Sequence, residues 1–284
     1  MTDLAIRPHH AIWPKRLPHQ LTLPETSLWF NLEVSARRYP NKPAYVFFGR
    51  ALTFASLLAQ AEALAGWMQA NGLKKGDRVA VYMQNCPQFV VAVHAVLRAD
   101  AVVVPVNPMN KTDELVHTIT NAGTRMFLTT ADLAATVADA SAQLPEPQRL
   151  RHIVASRFTD AMPTTLDAAE TPSPAILQWL LADPALPAAT ATTGITRWAD
   201  ALAAGHQPTA HTAEPDDLAL LPYTSGTTGL PKGCMHTHRT LMHNVMAGGI
   251  WGFSTSEAIS LGVVPMFHIT GFIYGCLASV AGGT

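Results

Sequence analysis

Short apolar runs alternate along the chain with longer stretches whose apolar residues recur at helical spacing. The apolar runs predict buried strands, at 44–48, 78–82, 102–105, 125–129, 152–154 and 217–223. The stretches between them predict helices, at 53–71, at 87–98 and from Thr112 onward. This repeated alternation predicts an α/β fold, with a doubly wound, mostly parallel sheet and flanking helices.

Two of the predicted helices carry terminal signals, the first at both of its ends and the other at its start. Thr53 is the expected N-cap of the first, and Gly72 lies just after its end. Thr112 is the expected cap of the other helix, whose first turn contains Asp113 and Glu114, the charges that a helix N-terminus favours.

From about residue 156 to 215 the pattern weakens, and Ala, Thr and Pro dominate. Short helices are expected at 177–181 and 198–202. The composition predicts an irregular surface connection, and a substrate lid is the alternative.

Composition narrows the possible functions. The 284 residues contain 19 Lys and Arg against 20 Asp and Glu, so no basic excess indicates nucleic acid binding. The three cysteines, Cys86, Cys234 and Cys276, are widely spaced, which argues against a disulfide framework and fits a reducing compartment. Neither a signal peptide nor a transmembrane segment is indicated, so we expect a cytoplasmic protein.

The segment 223–233, Tyr-Thr-Ser-Gly-Thr-Thr-Gly-Leu-Pro-Lys-Gly, is the most informative part of the chain. Its glycines let backbone N–H groups turn toward an anion, and its hydroxyls add uncharged donors. Lys232 supplies one mobile positive charge. The spacing differs from a Walker loop, and no GxGxxG pattern follows a strand. The segment therefore predicts a phosphate loop of another kind, and a plain turn between strands is the alternative.

From Tyr223 to His238 the sequence resembles the signature of the acyl-adenylating (AMP-forming) superfamily, which includes acyl-CoA synthetases. The segments 52–54, 76–80 and 104–108 match the same family, whereas Asp100 stands where its members usually have glycine. The resemblance implies activation of a carboxylate with ATP and Mg²⁺ to an acyl-adenylate, followed by transfer to a thiol such as that of CoA.

The resemblance also implies roles for individual residues. Lys232 would meet the charge that develops on the phosphates during the reaction, which makes it a catalytic candidate. Thr224 would also help to hold Mg²⁺. The remaining ATP contacts are expected from Ser225, Gly226, Thr227, Thr228 and Gly229.

A second cluster, 263–272, is expected to follow a strand that ends at Pro265 and to lie beside the phosphate loop. The resemblance implies that Phe267, His268 and Phe272 line the acyl pocket, with His268 near the reacting carboxylate. Amino-acid-activating relatives carry an aspartate where this chain has His268, so an apolar acid, such as a fatty acid, is the expected substrate. A core histidine is the alternative for His268.

Three more histidines, His236, His238 and His243, lie close together in the sequence. Their spacing and the lack of a neighbouring carboxylate favour packing and capping over a metal site.

The family pattern continues beyond residue 284 with adenine, ribose and hinge elements. The chain is therefore expected to be the amino-terminal part of the large domain, and to be inactive alone. A non-catalytic fragment that at most binds nucleotide, and another phosphate-loop phosphotransferase, are the alternatives. The oligomeric state is open, a homodimer included.

Overall fold

The computed structural model describes residues 7–224 and 229–284. Its strands are β1 (Pro43–Phe47), β2 (Arg50–Thr53), β3 (Arg78–Tyr82), β4 (Val102–Pro105), β5 (Met126–Thr130), β6 (His152–Ser156), β7 (Gly194–Arg197), β8 (Leu218–Leu220), β9 (Tyr223–Thr224), β10 (Lys232–Gly233) and β11 (His236–Thr237). The helices are α1 (Trp29–Arg38), α2 (Phe54–Ala70), α3 (Pro87–Arg98), α4 (Thr112–Ala122), α5 (Ala131–Ala142), α6 (Pro174–Leu181), α7 (Trp198–Ala203), α8 (His238–Gly252), α9 (Ile269–Gly271) and α10 (Ser279–Gly282), with a π-helical segment (Phe272–Ala278) between the last two. Short 3₁₀ helices lie at Pro8–Ile12, Glu146–Gln148 and Phe158–Ala161.

The main sheet has seven strands in the order β11-β8-β4-β3-β5-β6-β7. All neighbouring pairs are parallel except β11 with β8. The chain enters the main sheet at its central strand, β3, and later strands are added on both sides of it. The doubly wound, mostly parallel arrangement predicted from the sequence is thereby confirmed.

The sheet is buried on both faces, and each face belongs to a different hydrophobic core. Val79 and Val81 pack with α2 and α3 on one face. Ala80 and Tyr82 pack with α4 and α5 on the other. Successive side chains of a strand point to opposite faces, so one apolar run serves both cores.

The predicted start of α2 is confirmed, because the Thr53 side chain accepts a hydrogen bond from the Ser56 N–H at 3.2 Å. The predicted cap of α4 is wrong by one residue. Lys111 is the N-cap, and its backbone N–H donates to the Glu114 carboxylate at 2.5 Å. A carboxylate three residues into the helix satisfies that N–H without a hydroxyl at the cap.

The predicted irregular connection contains regular structure that the sequence pattern missed. The two short helices expected there are confirmed as α6 and α7. In addition, β7 pairs in parallel with β6 and forms one edge of the main sheet. β7 has only four residues and no apolar run, so its sequence carries no strand signal of its own.

Two other predicted strands differ from the structure. The run at 217–223 is divided into β8 and β9 at Leu221-Pro222, because proline has no N–H to donate to a ladder. The strand expected to end at Pro265 is wrong, since 259–265 has neither helix nor strand. Ile259 and Leu261 are 96% and 85% exposed, and no described strand pairs with them.

No helix among the described residues is both long enough and apolar enough to span a bilayer. Cys86 and Cys276 are buried free thiols, and Cys234 is a half-buried free thiol.

Candidate active site

The predicted phosphate loop connects the two strands of a β-hairpin. β9 and β10 pair antiparallel, with Thr224 opposite Lys232 and Tyr223 opposite Gly233. The hairpin follows β8, so it lies at the carboxyl edge of the parallel sheet, where α/β folds bind ligands. Ser225, Gly226, Thr227 and Thr228, predicted to contact ATP, lie outside the described residues.

The pairing brings two of the predicted site residues together. Directly opposite residues of an antiparallel pair project from the same face, so the Thr224 hydroxyl and the Lys232 ammonium share one side of the hairpin. Both residues are exposed. The Thr224 hydroxyl also donates to the Lys232 carbonyl at 3.4 Å. Beside Gly229 the space is open, because a Cβ at that position would meet no atom within 4 Å.

Helix α4 braces both arms of the hairpin. The Tyr223 hydroxyl donates to Asn121 Oδ1 at 2.6 Å, and burial raises the pKa of Tyr223, which keeps the hydroxyl protonated. His117 Nε2 lies 2.9 Å from the Pro231 carbonyl. A carbonyl can only accept, so Nε2 carries the hydrogen. His117 and Asn121 are four residues apart and therefore project from the same face of α4.

The second arm sits closely on the segment that leaves β8. A Cβ added at Gly233 would lie 3.1 Å from the Leu221 side chain, which is tighter than ordinary contact. Next to it, the Cys234 N–H donates to the Pro222 carbonyl at 2.9 Å. A side chain at Gly233 would therefore have to displace the Leu221 side chain, and Lys232 sits on a backbone held from both sides.

The second predicted cluster is held by Asn85. Its amide group donates to the carbonyls of Gly262 and Val264 at 3.0 and 2.9 Å, and its oxygen accepts the Met266 N–H at 2.8 Å. Asn85 follows β3, and only β4 separates β3 from β8. The carboxyl ends of these two strands are therefore about 10 Å apart, so cluster and hairpin occupy the same edge of the sheet.

Within this cluster, the three predicted pocket residues have different surroundings. His268 is exposed and is the N-cap of α9, with Nδ1 accepting the Thr270 N–H at 3.4 Å. That position does not fit the alternative of a core histidine. Phe267 is half-buried against the core. Phe272 is 1% exposed and packs edge-on against Phe89, so its observed contacts are core contacts. Roles in binding the acyl group stay predictions for all three.

His238 has a structural role. It is 1% exposed, and its Nδ1 accepts the Leu28 N–H at 3.1 Å near the start of α1. Burial lowers its pKa to about 4, so the ring stays neutral and can accept this bond. The packing role predicted from the sequence is thereby confirmed for this histidine.

Comparison with known proteins gives the family. The AMP-binding enzyme family matches residues 32–284. The chain belongs to this family. A long-chain-fatty-acid–CoA ligase of Bacillus subtilis is 33% identical over 272 residues, which cover 93% of this chain and 46% of that protein. A feruloyl-CoA synthase of Amycolatopsis is 30% identical over 250 residues, 88% of this chain and 41% of that protein. The chain thus spans about half the length of the curated relatives it matches.

Solved structures agree on the fold. An anthranilate CoA ligase in complex with anthranoyl-AMP aligns over 93% of this chain and 45% of its own, with a TM-score of 0.71 and 18% identity. A long-chain-fatty-acid-CoA ligase from Archaeoglobus fulgidus aligns over 93% and 47%, with a TM-score of 0.67 and 20% identity. These likenesses show that the described residues share the fold of about half of each of these chains.

The predicted Mg²⁺ fits this site only if substrate phosphates and water supply most of its ligands. The described residues contain no group of three His, Cys, Asp or Glu side chains that could hold a metal ion. In nucleotide sites, however, Mg²⁺ is usually held by one or two protein oxygens together with substrate phosphates and water. The exposed Thr224 hydroxyl could serve as one such oxygen, and its role as a ligand stays a prediction.

Sequence reasoning missed the residues that position this site. His117, Asn121 and Asn85 are distant in sequence from the residues that they contact, and none belongs to the glycine-rich segment. The spacing of His117 and Asn121 on one helix face was the only local signal, and nothing in it identified the partner.

Proposed function

We propose that this chain supplies the phosphate-binding part of an ATP-dependent carboxylate–CoA ligase, which forms an acyl-adenylate and then an acyl-CoA. The observation that carries the proposal is the pairing of Thr224 with Lys232 at the carboxyl edge of the sheet. This pairing puts a cation and a hydroxyl on one face of a glycine-rich hairpin. Membership of the AMP-binding enzyme family supports the reaction class.

In the first step, a carboxylate oxygen attacks the α-phosphorus of ATP, and the bond to the leaving pyrophosphate breaks. Negative charge grows on the phosphates as this happens. The Lys232 ammonium and the Thr224 hydroxyl would donate to those oxygens. Because His117 and Asn121 already hold the two arms, little reorganisation is needed when the charge develops. A bound Mg²⁺ would neutralise further phosphate charge.

In the second step, the thiol of CoA attacks the acyl carbonyl and AMP leaves. His268 is our candidate for a group near that carbonyl, because it is exposed at the same edge of the sheet.

For the acid, we propose a fatty or other apolar carboxylate. Several relatives with about 30% identity are named long-chain-fatty-acid–CoA ligases, and one is named a feruloyl-CoA synthase. His268 offers no fixed anion for an α-ammonium group, which favours simple acids over amino acids. We propose a cytoplasmic location, which the free thiols support, and a homodimer stays a prediction.

The second candidate function is nucleotide binding without adenylation. It is favoured by one observation, which is that Thr224 and Lys232 are both exposed on one side of the hairpin, where they can contact phosphates. In this case the hairpin binds the phosphates of ATP, and chemistry requires residues from the remaining length.

Both candidates require ATP to bind at the hairpin, which a matched pair of variants tests. We expect Lys232→Ala to weaken ATP binding by about tenfold to a hundredfold, since it removes a hydrogen bond from a charged donor. The control is Lys15→Ala, which removes the same charge from an exposed position. Calorimetric titration with ATP measures both. Equal affinities in the two variants would show that the hairpin is only a turn.

A second readout separates the two candidates. In a ligase that joins this chain to the remaining length of its relatives, Lys232→Ala should lower kcat/KM for adenylation by roughly one to three orders of magnitude. If ATP affinity falls in the variant but the joined protein forms no acyl-adenylate even without the substitution, nucleotide binding alone is the function.

A further inference from the structure

A cavity of about 230 Å³ opens at the amino edge of the main sheet, opposite the hairpin. It lies where β3, β5 and β6 begin and where α2 and α4 end. Four cationic side chains line it, together with one carboxylate, that of Asp77. The cations are Lys74, Arg78, Arg125 and Arg151.

These cations have no anionic partners in the part of the chain that the structure describes. No ion pair found there involves any of the four. The Asp77 carboxylate is itself engaged, because it accepts the Lys74 backbone N–H at 2.9 Å. The cavity therefore concentrates positive charge in a chain whose formal net charge is −1.

Two of the four are held in place by carbonyls. Arg78 donates to the carbonyls of Ala122, Gly123 and Gly76 at 2.6, 3.2 and 3.2 Å. The first two belong to the end of α4, where helix carbonyls favour a cation. Arg125 donates to the Gln148 carbonyl at 2.6 Å. Helix-end carbonyls thus account for Arg78, whereas Arg125 keeps most of its donors.

The other two are uncommitted within the described residues. The side chains of Lys74 and Arg151 are exposed and make no hydrogen bond to any described residue. Like charges within a Debye length of about 8 Å repel one another, and a bound anion would relieve that repulsion. Burial, and then the charge of Arg151, lower the pKa of the half-buried His152 in the same wall.

We propose that this cavity binds the phosphate group of a small molecule. Guanidinium groups present paired N–H donors that match phosphate oxygens, and Lys74 adds a mobile charge. The volume is below the 300 Å³ or so at which pockets for drug-sized ligands begin, so it suits phosphate, pyrophosphate or a phosphorylated end group. The site is separate from the hairpin, because the five residues of β3 span about 17 Å between the two edges.

The test uses pyrophosphate as the probe and follows it by calorimetry at low ionic strength. We expect the double variant Arg125→Gln/Arg151→Gln to weaken pyrophosphate binding by tenfold or more, because it removes two charged donors. Arg37→Gln is the matched control, since Arg37 is 76% exposed and distant in sequence from the cavity. Lys232→Ala distinguishes the two sites, because it removes the cation of the hairpin and should leave pyrophosphate binding at the cavity unchanged.

A second, site-specific measurement uses the His152 ring, which lies 5.6 Å from the Trp67 ring. Pyrophosphate should raise the His152 pKa in an NMR titration, because a nearby anion favours the charged imidazolium. The shift should be absent in the double variant. Melting curves verify that each variant is folded.

Three results would overturn the proposal. The first is an equal loss of affinity in the double variant and in Arg37→Gln. The second is loss of all pyrophosphate binding in Lys232→Ala, which would assign the anion to the hairpin. The third is binding to phosphatidylglycerol vesicles without any binding of soluble phosphates, which would assign the basic surface to lipid.

Discussion

The backbone of Asp100 has a φ of +58°, a conformation that residues other than glycine rarely adopt. The family resemblance leads us to expect glycine at this position. The Asp100 carboxylate gives a reason for the exception. It accepts hydrogen bonds from the Thr212 N–H and hydroxyl at 2.9 and 2.7 Å and from the Ala213 N–H at 3.2 Å, and it pairs with His211 Nδ1 at 2.5 Å. His211 Nε2 lies 2.6 Å from the Ser27 hydroxyl.

This Ser27–His211–Asp100 arrangement has the order of a hydrolytic triad, but its nucleophile is inaccessible. Ser27 is 2% exposed, and it lies near the start of α1. The arrangement therefore acts as a clamp that ties α1 and the end of α3 to the segment before β8. That segment leads into β8, which precedes the hairpin.

We expect Asp100→Ala to lower the free energy of unfolding by about 2 kcal/mol or more, since it removes several hydrogen bonds to a buried carboxylate. Asp100→Gly loses the same bonds but relieves the left-handed backbone, so it should be about 1 kcal/mol more stable than the alanine variant. Urea unfolding measures both. If the alanine variant matches the wild type, the clamp contributes nothing to stability.

The clamp should also be sensitive to acid. Burial acts to raise the Asp100 pKa, but hydrogen bonds from His211 and Thr212 outweigh it and lower the pKa to about 2. A carboxyl with a lowered folded-state pKa stabilises above its unfolded pKa of about 4, and that contribution is lost as the pH falls toward 2. Wild-type stability should therefore fall more steeply over this range than that of Asp100→Asn. Parallel curves would exclude this role.

At His268, the prediction concerns selectivity. An amino acid would bring an ammonium group to a position with no fixed anion, and burying it unpaired would be costly. A ligase containing this chain should therefore use an aliphatic acid far better than the α-amino acid with the same tail, by more than the roughly tenfold that one methylene provides. Competition between the two acids, with the thioesters counted, measures this. Equal use would show that His268 does not lie at the carboxylate.

At the scale of elements, close contact between two backbones can restrict the residue type at a position that helical periodicity leaves open. Gly66, in the middle of α2, faces the His206 carbonyl, and a Cβ at this position would lie 2.2 Å from that oxygen. The segment after α7 therefore crosses α2 at a distance that only glycine permits. The apolar stripe that predicted α2 contains no sign of this crossing.

We expect Gly66→Ala to destabilise the protein by about 1–3 kcal/mol, because the added methyl group displaces backbone. The matched control is Gly249→Ala in α8, where a Cβ would meet no atom within 4 Å. There alanine should stabilise by up to about 1 kcal/mol through helix propensity. Thermal or urea unfolding compares them, and a neutral Gly66→Ala would contradict the observed crossing.

At the scale of the whole molecule, the two edges of the sheet have different chemistry. The carboxyl edge carries the hairpin and the cluster around His268, and the amino edge carries the basic cavity. Two cores on opposite faces of the sheet hold both edges in one framework.

The prediction at this scale is that the 284-residue chain alone forms no acyl-adenylate. It contains the hairpin that we propose binds phosphate, whereas the family resemblance places ribose, adenine and further metal contacts beyond residue 284. Carboxylate-dependent exchange between ATP and labelled pyrophosphate measures the activity. Exchange above background with the purified chain, abolished by Lys232→Ala, would contradict the prediction.

The sequence by itself determined the fold class and singled out the glycine-rich segment as a candidate phosphate loop, because both depend on local signals. Apolar runs of strand length are buried wherever they pair, and glycines, hydroxyls and a lysine in one segment favour phosphate. β7 was missed, and the strand before Pro265 was wrongly predicted, because a strand depends on a partner as well as on its own residues. Tertiary structure decided how the site is held. Tyr223 bonds Asn121 from 102 residues away, and Asp100 bonds Thr212 from 112 residues away. Contacts at such separations leave no periodic trace in the sequence, so only the packed sheet and helices bring these residues together.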